Sequence, residues 1–395
     1  MIAMEHDIKL GPAAASYIRL LLVLGLRSPM GAERHWWDLF RRALTALAMW
    51  TVVVLQLWTI GSIPFDNFYF ASVVIVLTVM AAMLYTLQLE KSFRNRDNLL
   101  LAIRVSIGDS EEAASIAERF IANSRRPSVI FTAIGFLTFV VPINFNVPEL
   151  HPLFMTTFPL MQNVALGVFS SLIMGVFMIP TLQTSMTSPC IFNVILMNRL
   201  RALDALVRTG LKGSMTTKRW NELIGEVGRE YSRIHGACEM VNAENSSLLL
   251  IMLVGGGANI IFVLRTLLLV TLPANVISVM VFFMLISLRL MLSVATTSAT
   301  VDSRSHRVAS SISRLDPGAD QSHLDVIDDH ERVEVLLIHR RIQSMLHRYE
   351  YAPINIQIYH LLAITWGLVA EITSIAFTAL IVLYNLSTGT RIEGA

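Results

Sequence analysis

Seven long apolar stretches dominate the sequence and limit the folds that the chain can adopt. Each has close to the roughly 20 residues that a helix needs to cross the hydrocarbon core of a bilayer. Only 15% of the residues are charged, against about 25% in soluble domains. The pattern predicts an all-α membrane protein with seven transmembrane helices. The predicted spans are about 43–63, 69–89, 128–145, 158–182, 247–269, 274–297 and 360–386.

The connections between these spans differ sharply in charge, which predicts their orientation. The short connections after the first, third and fifth spans contain no Lys or Arg. The N-terminal segment and the three long connections contain six, seven, eight and seven, which is 28 of the 31 in the chain. Because cytoplasmic loops carry the excess of positive charge, we expect the N-terminus inside and the C-terminus outside. This orientation argues against a G-protein-coupled receptor, and the basic residues require no nucleic-acid partner.

Two of the long connections have the periodicity of helices. Apolar residues from Trp220 to Val241 recur at alternating spacings of four and three, which is typical of a helix with one packing seam. A second seam runs from Val335 to Tyr349, and the helix of the fourth span is expected to continue to about Gly210. We therefore predict a cytoplasmic anchor domain. Its predicted segments are 183–246 and 330–359, and they pack either within one subunit or between subunits.

The polar segment 303–329 contains a Pro-Gly pair, so part of it is predicted to be a loop. Elsewhere, no spacing of residues indicates a catalytic, metal or cofactor site. The Gly-rich stretch Gly255–Asn259 lies inside the fifth span without a following Lys, which favours close helix packing over nucleotide binding. Cys190 and Cys238 both fall on the cytoplasmic side, where no structural disulfide is expected. We expect no enzyme activity, metal or cofactor.

One face of the last predicted span combines a carboxylate with other polar groups. A charged group at the bilayer centre costs roughly 2.5–3.5 kcal/mol on insertion scales and usually faces protein or water. The face fits either a buried network in one bundle, with Glu371 paired to Arg289, or a cation pore lined by several copies of this helix. The residues that share the face by helical spacing are Glu371, Ser374, Thr378, Val382 and Asn385.

Several stretches occur in an order that is known from one receptor family. They are YIRLLLVLGLRSP near the start, TTSATVDSRSHRVASSISRLDP after the sixth span, and then ERVEVLLIHRRIQSMLHRYEYAPINIQIYHLL. The last span ends in TALIVLYNL, where Thr378 is followed at the motif positions by Ala379, Asn385 and Leu386. This order resembles the arthropod gustatory receptors of the insect chemoreceptor superfamily, which typically end in Thr-Tyr, five residues and Gln-Phe. The substitutions and the absence of the usual Gly-Phe-Phe fit a divergent member.

The resemblance implies a ligand-gated, nonselective cation channel of four subunits in the plasma membrane. In that family the last helix lines the central pore and the cytoplasmic helices join the subunits, which can be identical or different. Asn385 would then lie by the outer gate, with Val382 and Leu386 as apolar constrictions. The motif says nothing of Glu371, whose place in the pore is inferred from the polar face alone.

The resemblance also implies a pocket for a small-molecule tastant or odorant in the outer half of each subunit. Arg265 could bind an anionic ligand there or extend its charge to the membrane interface. An alternative function is a secondary transporter, with Glu371 and Arg289 as a coupling pair in the middle of the membrane. The candidate ligand-binding residues are Tyr69, Asn144, Gln162, Asn163, Asn259, Arg265, Ser278 and Phe282.

Overall fold

The computed structural model of the chain is almost entirely helical over the residues that it describes. These are 12–24, 36–59, 65–93, 110–144, 164–210, 217–269, 274–316, 329–374, 377–378 and 381. The helices are α1 Pro12–Val23, α2 Trp36–Thr59, α3 Phe65–Phe93, α4 Ser110–Asn144, α5 Val164–Leu172, α6 Ile179–Gly210, α7 Thr217–Leu269, α8 Ala274–Ser313, α9 Asp329–Tyr351 and α10 366–374. A six-residue π-helix, Ile173–Met178, joins α5 to α6. A two-stranded antiparallel hairpin, β1 Gln357–Ile358 and β2 Leu362–Ala363, precedes α10.

The apolar content of these helices confirms the predicted all-α membrane fold. Within the described residues, five segments are long and apolar enough to cross a membrane. They are Leu39–Thr59, Ala71–Lys91, Val168–Gly210, Lys218–Leu268 and Ile277–Ser313. The third predicted span lies within α4, and much of the seventh lies outside the described residues. The number of seven spans and their orientation stay predictions.

Several helices are much longer than a bilayer is thick. Helix α7 has 53 residues, so it is about 80 Å long and exceeds the roughly 30 Å hydrocarbon core by more than twofold. Helices α6 and α7 cover most of the segment 183–246, as predicted. Helix α6 ends at Gly210. Residues 303–313 of the polar segment continue α8, and 317–328 lie outside the described residues, so a loop in part of this segment stays a prediction. Although this part of α8 is polar in composition, Val308 and Ile312 are buried and pack in the core.

Helix α6 forms the centre of the bundle and packs against α3, α4, α7 and α8. Every residue from 178 to 193 is buried, although many are Ser and Thr rather than large apolar residues. Small polar side chains let membrane helices approach closely and bond to one another. Asn193 Nδ2, for example, donates hydrogen bonds of 3.0 Å to Thr297 Oγ1 and to Ser298 Oγ on α8. The core of the bundle is therefore held by polar contacts as well as by apolar packing.

The Gly-rich stretch of α7 lies where this helix meets two others. A Cβ at Gly255 would be 2.8 Å from Met80 Sδ on α3, and one at Gly256 would be 3.4 Å from the Ser287 carbonyl oxygen on α8. Larger side chains would separate the helices at this level. The stretch therefore has the packing role predicted from the sequence.

Candidate functional site

The helix with the predicted polar face begins later than expected, at 366 rather than at about 360. Thr365 caps its first turn, because Thr365 Oγ1 accepts a hydrogen bond of 3.2 Å from the backbone N–H of Leu368. The preceding residues form the β1–β2 hairpin instead of helix. The hairpin therefore sets the position at which α10 starts.

The two sides of α10 have different surroundings. Leu368, Val369 and Ile372 pack against the hydrophobic core of the chain. Glu371 and Ser374, on the other side, are exposed, and so is Thr378 further along the chain. Thr378 Oγ1 donates a 2.9 Å hydrogen bond to the Ser374 carbonyl oxygen, as expected one helical turn on. The described part of the predicted polar face therefore points away from the core of its own chain.

The other three residues predicted to line a pore, Val382, Asn385 and Leu386, lie outside the described residues. Phe377 and Ile381, which lie beyond the first turns of α10, are both exposed. The C-terminal part of this segment therefore also presents large apolar side chains to its surroundings.

Arg289 of α8, the suggested partner of Glu371, makes other contacts. Its Nη2 donates a hydrogen bond of 3.2 Å to Ser128 Oγ on α4. Its guanidinium lies over the ring of Phe131, with Cζ 4.8 Å from the ring centroid. Since Glu371 is exposed on α10, the structure does not form the internal ion pair considered for the last span.

The hairpin before α10 is attached to the long helix α7 by buried hydrogen bonds. Asn242 Nδ2 donates to the Asn355 carbonyl oxygen at 2.9 Å, and Asn242 Oδ1 accepts from the Gln357 backbone N–H at 2.9 Å. One turn further along α7, Ser246 Oγ accepts a bond of 3.0 Å from the Tyr359 backbone N–H. Since β2 leads directly into α10, these bonds connect α7 to the start of α10.

The turn of the hairpin has an unusual backbone conformation. Tyr359 and His360 have φ of 51° and 57°, in the left-handed region that L residues with a side chain rarely adopt. The Tyr359 hydroxyl lies 2.6 Å from Ser247 Oγ on α7, within hydrogen-bonding distance. The strained turn is therefore held in place by its contacts with α7.

Two of the predicted ligand-binding residues, Asn259 of α7 and Phe282 of α8, are buried. Asn259 Nδ2 of α7 donates to Ser287 Oγ at 2.7 Å, and Asn259 Oδ1 has no hydrogen-bond partner among the described residues. Phe282 faces α4, where its ring stacks on Phe131 with 6.0 Å between centroids. Asn259 Nδ2 also lies 3.5 Å from the carbonyl oxygen of Phe283, and the ligand-binding role of both residues stays a prediction.

For the remaining candidate ligand-binding residues, the structure describes few or no side-chain contacts. Arg265 and Ser278 are exposed near the ends of α7 and α8. Tyr69 and Asn144 lie on α3 and α4, but nothing is described of their side chains, and Gln162 and Asn163 lie outside the described residues. Within the described ranges, no three His, Cys, Asp or Glu side chains are grouped as metal ligands would be.

The hairpin and its attachment to Asn242 and Ser246 were missed in the sequence. A signal was present, because Ile354, Ile356 and Ile358 alternate with polar residues at the period of a strand. All three are buried. The alternation is short and merges with the following apolar span, which hid it.

The solved structures similar to this chain include two of one protein, the insect olfactory receptor OR5 from Machilis hrabei. One structure matches with a TM-score of 0.67 and 14% identity, over 94% of this chain and 98% of the other. The chain has the fold of an insect olfactory receptor. The same receptor in complex with eugenol matches with a TM-score of 0.64 and 13% identity, over 95% and 98% of the two chains.

No family model matches the sequence, and no curated protein does. The structural matches agree with the resemblance to the insect chemoreceptor superfamily at the level of the fold. They concern an olfactory receptor and leave the gustatory type as a prediction.

Proposed function

We propose that the chain is one subunit of a gustatory-type chemoreceptor that acts as a ligand-gated, nonselective cation channel. The observation that carries the proposal is the outward polar face of α10, in a chain with the fold of an insect olfactory receptor. A carboxylate at Glu371 is costly against lipid, so protein or water must cover this face in the membrane. Other copies of the same helix around a pore provide both.

The proposed pore is lined by α10 and its continuation from four subunits. Four copies of Glu371 form a ring of carboxylates, which favours cations over anions. Ser374 and Thr378 continue the polar lining towards the outer side. Asn385 lies at the outer gate in this proposal, with Val382 and Leu386 as the apolar constriction.

The proposed stimulus is a small-molecule tastant or odorant that binds in the outer half of the bundle. The similar receptor OR5 has been solved in complex with eugenol, which supports a ligand of this size. Such a ligand opens the channel only by binding the open state more tightly than the closed one.

Helix α7 offers a mechanical route from this region to the pore. It contains Asn259 in its apolar half and Asn242 at the hairpin, about 25 Å apart at 1.5 Å per residue. A shift of α7 is therefore passed through the hairpin to the start of α10.

The proposed tetramer, with identical or different subunits, is joined on the cytoplasmic side by the long helices. Helix α9 buries Ile338 and Ile342 in its own chain but leaves Val333, Leu336 and Leu337 more than half exposed. An apolar face of this kind supports packing against a neighbouring subunit. In this proposal the protein lies in the plasma membrane with a cytoplasmic N-terminus, and it is a receptor rather than an enzyme.

Cysteine accessibility during current recording tests the proposed pore. Single Cys substitutions from 368 to 387 would be expressed in cells and exposed to a small thiol reagent during leak or ligand-evoked current. We expect block at Glu371, Ser374, Thr378, Val382 and Asn385, and no block at Leu368 and Ile372, which face the core. Robust current without this periodic block would place the pore elsewhere and favour the secondary transporter. The contacts of Arg289 with Ser128 and Phe131 favour the channel.

A further inference from the structure

A long groove lies on the outside of the bundle between α1, α4 and the π-helix with α6. It encloses about 820 Å³, which is enough for a large part of a lipid chain. Tyr17 holds α1 along one edge, since its hydroxyl donates a 3.2 Å hydrogen bond to the Thr184 carbonyl oxygen. The backbone N–H of Ala13 also donates to Glu118 Oε1 on α4 at 2.6 Å. These two hydrogen bonds fix α1 along one edge of the groove, so the groove belongs to the packed fold.

The groove follows one face of α4 from Ile121 to Leu137. The sixteen helical steps from Ile121 to Leu137 extend over about 24 Å. One leaflet of a bilayer, with its headgroups, is about 20–22 Å thick. The length of the groove therefore fits a single lipid that lies parallel to α4.

The lining of the groove changes character along this length. Ser124 and Arg125 lie towards the end that the charge distribution assigns to the cytoplasm, and Arg125 is exposed. Among the described residues, Arg125 has no ion-pair partner. Val129, Ala133 and Leu137 follow on α4 and face an apolar interior. The groove thus runs from a free positive charge at the membrane surface to an apolar slot at depth.

Between these two ends, the floor of the groove contains an N–H donor that lacks an acceptor among the described residues. Gln183 is 3% exposed and lines the groove, and its Nε2 has no hydrogen-bond partner among the described residues. Ser128 Oγ lies 3.4 Å from Gln183 Oε1 and accepts from Arg289 Nη2 at 3.2 Å. The unpartnered Gln183 Nε2 is an N–H donor, so the missing partner is an oxygen acceptor.

We propose that the groove binds an anionic glycerophospholipid of the inner leaflet. Its phosphate pairs with Arg125, an ester carbonyl oxygen accepts from Gln183 Nε2, and one acyl chain fills the slot along Val129, Ala133 and Leu137. The order of cation, donor and apolar slot in the groove matches the order of phosphate, ester and chain in this lipid. Basic sites between membrane helices on the cytoplasmic side bind such headgroups. The proposal uses the membrane placement of the chain and does not depend on channel activity.

Photolabelling of the full-length protein in nanodiscs tests this site without any current. The discs would consist of phosphatidylcholine with a small fraction of phosphatidylserine that carries a diazirine on its acyl chain. We expect adducts on peptides of α4 between 125 and 144 and on the π-helix around Val176. Excess unlabelled phosphatidylserine should compete with the probe, and excess phosphatidylcholine should not. Adducts spread evenly over the exposed face of α2, or equal competition by both lipids, would overturn the proposal.

Single substitutions test the two proposed polar contacts, Arg125 with the phosphate and Gln183 with the ester carbonyl. Arg125→Gln should lower labelling about fivefold, as expected for one cation near an anionic headgroup. Arg126→Gln is the control, because Arg126 is also exposed but does not line the groove. Gln183→Leu should lower labelling roughly fivefold through the lost hydrogen bond. Equal labelling of all three variants would overturn the site. Displacement by oleate as effective as by phosphatidylserine would overturn the assignment of the phosphate. If a variant does not fold, the lipid competition in the unsubstituted protein still tests whether the groove prefers an anionic lipid.

Discussion

Asn242 of α7 and Gln357 of β1 are joined by a hydrogen bond of 2.9 Å from the Gln357 backbone N–H to Asn242 Oδ1. The other end of the same side-chain amide donates to the Asn355 carbonyl oxygen at 2.9 Å. Asn242 is 4% exposed, so these bonds are shielded from water. One side chain therefore satisfies two main-chain groups of the segment from which α10 starts.

Replacement of Asn242 should destabilise this attachment. Asn242→Leu removes the acceptor of the part-buried Gln357 N–H, at a cost of roughly 1–3 kcal/mol. It also leaves the Asn355 carbonyl oxygen with only the weak donor Cys238 Sγ, at 3.1 Å. We expect a fall of several degrees in the thermal unfolding midpoint of the purified protein and weaker ligand-evoked current. Asn221→Leu is the control, because the bond from Arg341 to Asn221 across α7 and α9 is exposed. Equal midpoints for the two variants would show that the attachment contributes little.

The sequence predicts the long helices well because their signal is local. The apolar seam from Trp220 to Val241 predicts one face of α7, and that face is buried from Ile224 to Val241, with Trp220 partly buried. The hairpin is different, since its strands have two residues each. Its position depends on Asn242 and Ser246, more than one hundred residues earlier in the chain. A pattern within the segment does not contain that information.

In the candidate site, too, the features within one helix could be predicted from the sequence and the contacts between helices could not. The outward face of Glu371 and Ser374 follows from helical spacing alone, since the apolar residues of the same helix must face the core. Ligand contacts depend on how different helices are rotated against one another, which the sequence pattern does not fix. In the structure, Asn259 bonds to Ser287 and Phe282 stacks on Phe131, and neither contact could be read from the sequence.

The left-handed turn at His360 predicts an asymmetric response to substitution. His360 has φ of 57° and an exposed side chain. His360→Gly removes a strain of roughly 1–2 kcal/mol, partly offset by about 0.4–1 kcal/mol from the greater freedom of the unfolded chain. His360→Ile introduces a β-branched residue that is poorly suited to this region. We expect the glycine variant to unfold at or above the midpoint of the unsubstituted protein and the isoleucine variant clearly below it. The reverse order would contradict the turn conformation.

Tyr349 of α9 should make the stability of α9 and the helices packed against it depend on alkaline pH. Burial raises the pKa of its hydroxyl, the charge of Asp302 acts in the same direction, and the Ser305 hydroxyl opposes it. An unfolded Tyr titrates near pH 10. The folded form thus keeps its proton more firmly, and the stability from this group is present below about pH 10 and lost as the pH rises through the raised pKa.

Chemical or thermal unfolding between pH 8 and the alkaline limit of the protein checks this expectation. Tyr349→Phe has no proton to lose, so its stability should decline less steeply above about pH 10. Tyr351→Phe is the control, because Tyr351 lies two residues away and is 79% exposed. A profile of Tyr349→Phe that runs parallel to that of the unsubstituted protein would contradict the role of burial.

Glu371 decides whether the outward face of α10 has the charge of a cation pore. Glu371→Gln preserves the shape of the side chain but removes one negative charge from each subunit, hence four from a ring in a tetramer. Because rings of carboxylates favour cations, we expect smaller single-channel conductance and a reversal potential that shifts towards equal permeability for cations and anions, with normal surface expression. Glu350→Gln is the control, since Glu350 is exposed on α9, outside the proposed pore, and this change should leave permeation unchanged. If Glu371→Gln and Glu350→Gln conduct alike, Glu371 lies off the ion path, and its exposed side would have to be covered by another protein surface instead of by water in a pore.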